Sequence, residues 1–353
     1  MTALKLGSLF DVIGVFPLAA VHCGIEPVWA SEIEARPISI TKRHFPDMLH
    51  LGDITKISGA EIPPVDVITF GSPCQDLSQI GTRNGFAGKK SSLFYQAMRI
   101  IEEMRYATNG RYPAFCIWEN VAGAFSSNDR LDFAAMLSAF TGAEVSVPPR
   151  GWAHAGMVRG GRADTAWRLL DAQYWGEPAL SQRRRRVFVV ADFAGERAAE
   201  VLFKPRTVLP FSTISGPGGL SATQRGGVPA AQTGRQVPIV RPFSLRRMRT
   251  MAQVGDQKGF CASFGRGGEP FPTLLASVTA PFSFWYESEE RDGFLRVLTP
   301  LECERLMGLP ENWTKYGCKN EEISDHARYR ALGNSIALPC AEYVMAGIAE
   351  VMN

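Results

Sequence analysis

The sequence predicts an α/β protein with a mostly parallel sheet and a smaller, irregular, β-rich domain. Three observations lead to this fold class. Short β-branched or aromatic runs alternate with stretches of helical period over the first 190 residues. From residue 205 to residue 281 the chain is rich in Gly, Pro, Ser and Thr and has few helical periods. A helical pattern then returns over residues 299–307 and 336–351.

The predicted sheet rests on five short apolar runs, which cover residues 5–10, 27–31, 66–70, 114–118 and 186–190. A helix is expected through Ala19 and Ala20, and another over residues 92–105, where apolar residues recur at helical spacing. Ligands of such sheets bind beyond the carboxyl ends of the strands. Residues that follow these runs are therefore the first candidates for a functional site.

Composition narrows the class of protein. A chain of 353 residues fits two domains, and 45% hydrophobic with 21% charged residues is typical of a globular protein. No apolar run reaches the length that spans a bilayer, and residues 1–10 lack the pattern of a signal peptide. Seven scattered cysteines without a C-x-x-C pair predict reduced thiols, no metal site and a cytoplasmic location.

Charge points weakly toward nucleic acid. The net charge is +3, with one run of arginines at residues 183–186 and a second basic cluster between residues 241 and 249. Basic clusters are as often solvated surface as they are binding sites.

A candidate nucleophile follows the run at residues 66–70. The segment GSPCQDLS places Cys74 just past a predicted strand, after a proline and before a glycine-rich segment that carries Arg83, Lys89 and Lys90. A thiolate there would lie at a strand end under a basic loop. A single cysteine is more often a buried structural residue, so the neighbouring motifs have to decide whether Cys74 is a nucleophile.

A candidate acid ends the next predicted strand, in the segment WENV. Glu119 would lie at the same sheet edge as Cys74. Addition of a thiolate to carbon 6 of a pyrimidine requires an acid at ring nitrogen 3, and a half-buried glutamate suits that role. The alternative is a glutamate that only caps the following turn. Finding both motifs together favours the catalytic interpretation.

With these motifs the chain resembles the cytosine-5 DNA methyltransferase family of bacterial and prophage restriction–modification type. GSPCQDLS and ENV are similar to its nucleophile and acid motifs, and QRRRRV at residues 182–187 to its Q-x-R-x-R motif. The segment from Arg296 to Pro310 resembles the motif that organises the recognition domain, and Gly333-Asn334-Ser335 the last motif. The order is that of the family, and the resemblance covers the chain except residues 193–294.

The resemblance implies a Rossmann-like, S-adenosylmethionine-dependent methyltransferase that acts on a cytosine flipped out of double-stranded DNA. Cys74 would add to carbon 6, Glu119 would protonate nitrogen 3, and Arg186 would bind the carbonyl oxygen. Arg184 would support Glu119 or the same site, because alternate residues of a strand share a face. Ser78, Arg83 and Lys90 would contact DNA phosphates from a loop that closes over the substrate.

The domain organisation follows from the same resemblance. Residues 1–192 would form the catalytic and cofactor-binding domain, residues 193–294 the target-recognition domain, and residues 295–353 a segment that returns to complete the catalytic domain. Within the recognition domain, Thr273-Leu274 resembles a short Thr-Leu element of the family.

The cofactor site departs from the family in one motif. Val12 and Val15 stand where the family usually has glycine, and only Gly14 remains. Valine held at positive φ costs roughly 1–3 kcal/mol. The remaining positions match the family: Phe10, Ile13, Gly14, Glu32, Ile33, Asp53, Ile54, Pro73, Leu93, Asn334 and Ser335. Of these, Glu32 would bind the ribose hydroxyls and Asp53 the adenine amino edge.

Two further hypotheses stay open. The chain could be a DNA-binding member of the family with impaired methyl transfer, because of Val12 and Val15, or an enzyme for an altered sulfonium cofactor. A dehydrogenase is disfavoured, since neither its glycine pattern nor its catalytic residues are present. A monomer without metal or membrane association is expected, and the target DNA sequence is left open.

Overall fold

The computed structural model describes residues 3–72, 93–204, 239–242, 270–271, 273–274, 283–287 and 294–353. The chain forms two compact units. The first unit comprises Met1–Leu170, Arg185–Arg206 and Leu338–Asn353, and the second comprises Asp171–Arg184 and Thr207–Ala337.

Strands and helices alternate along the described part of the chain. The strands are β1 (Lys5–Leu9), β2 (Glu26–Ser31), β3 (Leu49–His50), β4 (Val67–Phe70), β5 (Phe115–Val121), β6 (Ala155–Arg159), β7 (Asp164–Asp171), β8 (Arg185–Asp192), β9 (Ile239–Pro242), β10 (Ser283–Glu287) and β11 (Phe294–Val297). The helices are α1 (Val15–His22), α2 (Ala35–His44), α3 (Leu93–Ala107), α4 (Leu131–Thr141), α5 (Ala198–Leu202), α6 (Pro300–Leu306), α7 (Asp325–Asn334) and α8 (Leu338–Met352).

The first unit is built on an eight-stranded sheet with the order β3-β2-β1-β4-β5-β8-β7-β6. Neighbours from β3 to β5 are parallel, which confirms the predicted α/β sheet. Strand β8 runs antiparallel to β5, and β6 antiparallel to β7. All five predicted runs are strands. The sequence did not predict β6 and β7. These two strands pair antiparallel with each other and are the last two in the strand order.

Burial explains why these runs form the centre of the sheet. All four residues of β4 and six of the seven residues of β5 are buried, the pattern of strands covered on both faces. Phe94 of α3 packs edge-on against Trp118 of β5 and Phe140 of α4. At Gly7 of β1 a Cβ atom would lie 2.2 Å from the ring of Trp29, so only glycine fits. This packing fixes the strand ends that carry the site.

The second unit contains a three-stranded antiparallel sheet in the order β11-β10-β9, in agreement with a small β-rich region. Helix α6 begins with a capping box, in which Thr299 and Glu302 each bond the other's backbone amide. Glu304 of the same helix is fully buried and pairs with Arg328 of α7 at 3.1 Å. A buried pair of this kind holds the two helices in one arrangement.

The compact units divide the chain differently from the predicted domains. The second compact unit extends to Ala337 and the first resumes at Leu338, whereas the predicted C-terminal segment begins at residue 295. The bounds of the three predicted domains stay predictions. Residues 171–184 also belong to the second unit. The assignment of residues 193–294 to target recognition stays a prediction.

The described helices differ in length and polarity from a helix that spans a membrane. Each of them taken singly is too short or too polar to cross a bilayer. Helices α7 and α8 taken together would pass by length and composition alone.

Candidate active site

A glutamate and an arginine meet at the carboxyl end of β5. In the antiparallel pairing of β5 with β8, Val121 lies opposite Arg186. Nε of Arg186 lies 3.0 Å from Oε1 of Glu119, and both side chains are largely buried. At Gly71, which follows β4, a Cβ atom would lie 3.2 Å from Oε2 of Glu119. The absence of a side chain at Gly71 therefore leaves room for the carboxylate.

The chain that leads toward Cys74 is tied to the neighbours of Glu119. The indole Nε1 of Trp118 donates to Oγ of Ser72 at 3.1 Å. The side-chain amide of Asn120 donates to the Ser72 carbonyl at 3.0 Å, and its oxygen accepts from the Val121 amide at 2.8 Å. Ser72 is buried and comes two residues before Cys74. These bonds hold Ser72, the second residue of the predicted nucleophile motif, next to the two residues that flank Glu119.

Five predicted site residues lie outside the described residues. They are Pro73, Cys74, Ser78, Arg83 and Lys90, all within residues 73–92. Their roles stay predictions from the sequence.

The two alternating arginines have different surroundings. Burial alternates from exposed Arg183 to buried Arg184 to exposed Arg185, as the strand-like pattern predicts. Arg184 is 1% exposed, and its guanidinium donates to the carbonyls of Leu274 and Gly333 at 3.0 and 2.8 Å. It also donates to the carbonyl of Ser335. These bonds tie Arg184 to the backbone of the second unit, and Arg186 contacts Glu119. The role of Arg184 in supporting Glu119 or the same site stays a prediction.

The turn after β1 has an unusual backbone. Phe10, Val12 and Gly14 have positive φ angles of 56°, 53° and 75°. A β-branched residue in this region is a rare outlier, which confirms the strain expected at Val12. Val15 is different, because it is the first residue of α1 and is buried. From the sequence, the same strain was expected at Val12 and at Val15, but only Val12 has a positive φ.

Glu32 stabilises this turn from the end of β2. Its Oε2 accepts from the amide of Val12 at 3.1 Å. Its Oε1 accepts from the amides of Ile33 and Glu34 at 2.7 and 3.0 Å. The side chain of Ile33 is 72% exposed, which is unusual for a large aliphatic residue. An exposed isoleucine beside an anchored carboxylate fits the adenosine end of a nucleoside cofactor.

A second carboxylate lies after β3. Asp53 caps the short 3₁₀ turn Ile54–Lys56, and its Oδ1 accepts from the amide and the hydroxyl of Thr55 at 2.9 and 2.8 Å. The hydrogen bond from the Thr55 amide lowers the pKa of Asp53. Ile54 is buried, and its carbonyl accepts from Arg99 at 3.1 Å. Asp53 is therefore held as an ionised acceptor.

The other predicted cofactor residues occupy several positions. Ile13 is fully buried within the turn, and Leu93 begins α3. In the second unit, Asn334 ends α7 with an exposed side chain. Ser335 follows it, buried, and its Oγ has no hydrogen-bond partner among the described residues. A buried hydroxyl of this kind is suited to a ligand or a water.

Asp11 was missed by the sequence reasoning. It is buried in the turn between Phe10 and Val12, and accepts hydrogen bonds from the hydroxyls of Ser8 at 2.7 Å and Thr41 at 3.3 Å. Burial raises the pKa of Asp11 to about 7; the hydrogen bond from Ser8 opposes the rise and the charge of Glu32 adds to it. An aspartate inside an apolar motif could have been noticed from the sequence. Its burial could not.

Comparison with known proteins shows the family of this chain. The family model for C-5 cytosine-specific DNA methylases matches residues 4–208 and 246–350. The Type II methyltransferase M.HhaI of Haemophilus parahaemolyticus is 23% identical over 100% of this chain and 96% of its own length. The Dnmt2 methyltransferase of S. pombe has a similar fold, with a TM-score of 0.60, 16% identity and 99% of each chain covered.

A third relative is named as a methyltransferase of adenine, not of cytosine. The DNA N-6-adenine-methyltransferase of Escherichia phage P1 is 24% identical over 98% of this chain, which spans 61% of the length of that relative. The family match, together with the sheet, defines the class of the protein as a DNA methyltransferase. The chain belongs to the C-5 cytosine-specific DNA methylase family.

Proposed function

We propose that this protein transfers a methyl group from S-adenosylmethionine to carbon 5 of a flipped-out cytosine within a short specific sequence of double-stranded DNA. The observation that carries the proposal is the ion pair of Glu119 with Arg186 at 3.0 Å, beside the start of the nucleophile motif. Family membership supports cytosine and carbon 5 as the target. Action as a monomer in the cytoplasm stays a prediction.

The covalent chemistry is assigned to Cys74 and Glu119. The Cys74 thiolate forms a bond to carbon 6 of the ring while Glu119 gives a proton to nitrogen 3. This makes carbon 5 nucleophilic. Carbon 5 takes the methyl group, and S-adenosylhomocysteine is the leaving group. The carbon 5 proton is then lost to solvent, the electron pair of its C–H bond expels the Cys74 thiolate, and nitrogen 3 returns its proton to Glu119. The cycle regenerates the thiolate and the acid and releases one proton for each methyl group transferred.

Arg186 has a positioning role in this scheme. Its Nε orients the Glu119 carboxylate, and its Nη1 donates to the Arg185 carbonyl at 2.9 Å. The guanidinium is thereby held by both an acid and the backbone. Because five donors are available in one plane, the same group can also bind the cytosine carbonyl oxygen.

The residues at the ends of β1, β2 and β3 fit the adenosine part of the cofactor. Exposed Ile33 would cover the adenine, Glu32 would bind the ribose and Asp53 would accept from the adenine amino group. When bound, S-adenosylmethionine supplies an electrophilic methyl group. Val12 carries a side chain at a turn where the family has glycine, so we propose that it weakens cofactor binding at the methionine end.

Arg184 is proposed as a positioning residue of the second unit. Its three carbonyl partners lie in the Thr273-Leu274 element and in the last motif, Gly333-Asn334-Ser335. One buried guanidinium thus holds both segments. It would keep Asn334 and Ser335 in one fixed conformation.

Nucleoside analysis of methylated DNA tests this function. DNA from cells that express the full chain is hydrolysed and measured by mass spectrometry for 5-methylcytosine and N6-methyladenine, and bisulfite sequencing locates the modified sites. We expect 5-methylcytosine at one short sequence, and none with Cys74→Ala. Absence of 5-methylcytosine with the parent protein, or N6-methyladenine alone, would overturn the proposal.

A further inference from the structure

We propose that four exposed basic residues of the first unit, Arg130, Arg150, His154 and Arg185, bind the phosphodiester backbone of the substrate DNA. They are called the basic strip below. The proposal rests on the proposed function for the identity of the substrate. It assigns a contact to residues that were given no role above; Arg185 stands between the two arginines of the Q-x-R-x-R segment at residues 182–187.

The basic strip begins beside the active site. Arg185 directly precedes Arg186, and its carbonyl accepts from the guanidinium that pairs with Glu119. Arg185 starts β8 opposite the end of β5, and the chain from that end leads through two short 3₁₀ turns to Arg130. A cytosine held at Glu119 has its own phosphates nearby. Cations at this edge are therefore suitably placed to bind them.

Contacts among the described residues connect the strip. Nη2 of Arg185 donates to Nε2 of His154 at 3.4 Å. Nε1 of Trp152 donates to the Arg130 carbonyl at 3.0 Å. A Cβ atom at Gly151 would lie 3.2 Å from the Arg130 guanidinium carbon, so the turn that carries Arg150 packs against Arg130. The segment 150–154 thus joins Arg130 at one end and Arg185 at the other.

Among the described residues, the arginines of the strip have no acidic partner, in contrast to Arg159 and Arg162 of the same unit. Arg159 pairs with Asp164 at 3.3 Å, and Arg162 pairs with Glu102 at 2.5 Å. Within the described ranges, Arg130, Arg150 and Arg185 form no ion pair with a carboxylate, and all three are exposed. Arginines that present several donors and no acid partner match the oxygens of a phosphate.

Backbone strain at Arg130 gives a second, independent observation. Asn128, Asp129 and Arg130 are three consecutive non-glycine residues with φ of 48°, 51° and 73°. Asparagine and aspartate tolerate this region, whereas arginine rarely adopts it. Strained residues persist where the surroundings hold them, and they cluster at ligand-binding sites. At Arg130 the holding contact is the hydrogen bond from Trp152, which fixes where the guanidinium leaves the backbone.

Salt-dependent binding of the full-length chain tests the strip. The dissociation constant is measured for a duplex with the target sequence and for an unrelated duplex, at several salt concentrations. For Arg130→Ala with Arg185→Ala we expect several-fold weaker binding to both duplexes. The slope of log K against log salt should fall by roughly 0.9 for each lost phosphate contact. Arg111→Ala is the matched control, since Arg111 is exposed and precedes the opposite end of β5.

Three outcomes are decisive. A double variant with the affinity and salt slope of the parent overturns the proposal, and so does a loss confined to the target duplex, which would indicate base contacts. Arg130→Gly separates binding from folding: its thermal midpoint should equal or exceed that of the parent because the strain is relieved, while its salt slope falls. Binding to the unrelated duplex requires no methylation. A result that contradicts phosphate binding by the basic strip is therefore distinguishable from a result that contradicts the proposed methyl transfer.

Discussion

Nε of Arg186 lies 3.0 Å from Oε1 of Glu119, across the antiparallel pairing of β5 with β8. The pairing puts a cation and a carboxylate from strands 60 or more residues apart at one sheet edge. One residue of the arginine run at 183–186, Arg186, therefore binds the candidate acid Glu119.

Substitution of the acid should affect rate far more than folding. Glu119→Gln keeps the size of the side chain but removes the transferable proton, so methylation should fall by about 10²- to 10⁴-fold. Single-turnover rates with saturating DNA measure the effect, and thermal unfolding controls for structure. If Glu119→Gln lowers the midpoint of thermal unfolding but methylates at the parental rate while folded, Glu119 has a structural role.

The covalent step predicts a trapped adduct. A duplex with 5-fluorocytosine at the target position cannot lose a proton from carbon 5, so the bond to Cys74 should persist after methylation. Denaturing electrophoresis of the parent protein should show a protein–DNA complex that Cys74→Ser does not form. An adduct in the Cys74→Ser variant would mean that another residue is the nucleophile.

The two valines of the first motif should respond in opposite directions. Val12 is at positive φ, where strain of roughly 1–3 kcal/mol exceeds the 0.5–1 kcal/mol entropic cost of glycine, so Val12→Gly should raise stability by about 1 kcal/mol. It should also tighten cofactor binding. Val15 is buried at the start of α1, and Val15→Gly should cost about 1–3 kcal/mol.

Chemical denaturation and calorimetric titration of the two single variants check this pair. If Val12→Gly is less stable than the parent and binds the cofactor no more tightly, the turn accepts valine without penalty. If Val15→Gly is neutral, the packing at the start of α1 contributes little.

Asp11 should make stability depend on pH. Its pKa is raised from 3.8 to about 7 in the folded chain, mainly by burial. The folded state therefore binds the proton more tightly, so the stabilisation is present below about pH 4 and is lost as the pH rises through 7. Between these values the unfolding free energy should fall by about 1.4 kcal/mol per pH unit relative to Asp11→Asn, which does not ionise. Denaturant unfolding of both proteins from pH 4 to 8 gives the difference, and a flat difference contradicts the burial of an ionisable group.

Arg184 should be required for structure. Removal of its guanidinium leaves the carbonyls of Leu274, Gly333 and Ser335 buried without their donor, at about 1–3 kcal/mol each. Arg184→Met should therefore destabilise the protein strongly, and Arg184→Lys should recover only part of the loss because lysine lacks the planar fork. Thermal unfolding of the two variants measures this. Variants with parental stability but lost methylation would return Arg184 to a catalytic role.

The target-recognition prediction is tested by exchange. Replacement of residues 193–294 by the equivalent region of a relative should change the DNA sequence that is methylated and leave the chemistry intact. Bisulfite sequencing of DNA from expressing cells shows which sequence is modified. Retention of the original target sequence would place recognition elsewhere in the chain.

Local sequence alone predicted five strands of the sheet and selected the candidate residues for the chemistry. The runs at residues 66–70 and 114–118 are β4 and β5, because continuous apolar stretches of this length are buried strands. Glu119 could be selected as an acid since it interrupts such a run at its carboxyl end. Strands β6 and β7 were missed, because their pairing depends on the antiparallel end of the sheet and not on a run of their own.

Tertiary structure decided which partner each side chain has. Arg184 and Arg186 are equivalent in the sequence, yet one donates to backbone carbonyls about 90 and 150 residues away and the other pairs with Glu119. Val12 and Val15 both replace glycine, but only the path of the turn gives Val12 a positive φ. Asp11 has a raised pKa mainly because folding buries its carboxyl group; the nearby charge of Glu32 adds to the rise, and the hydrogen bonds from Ser8 and Thr41 oppose it. Residue type and local spacing determine what a group can do, whereas burial and partners arise from segments that are distant in the chain and meet only in the packed structure.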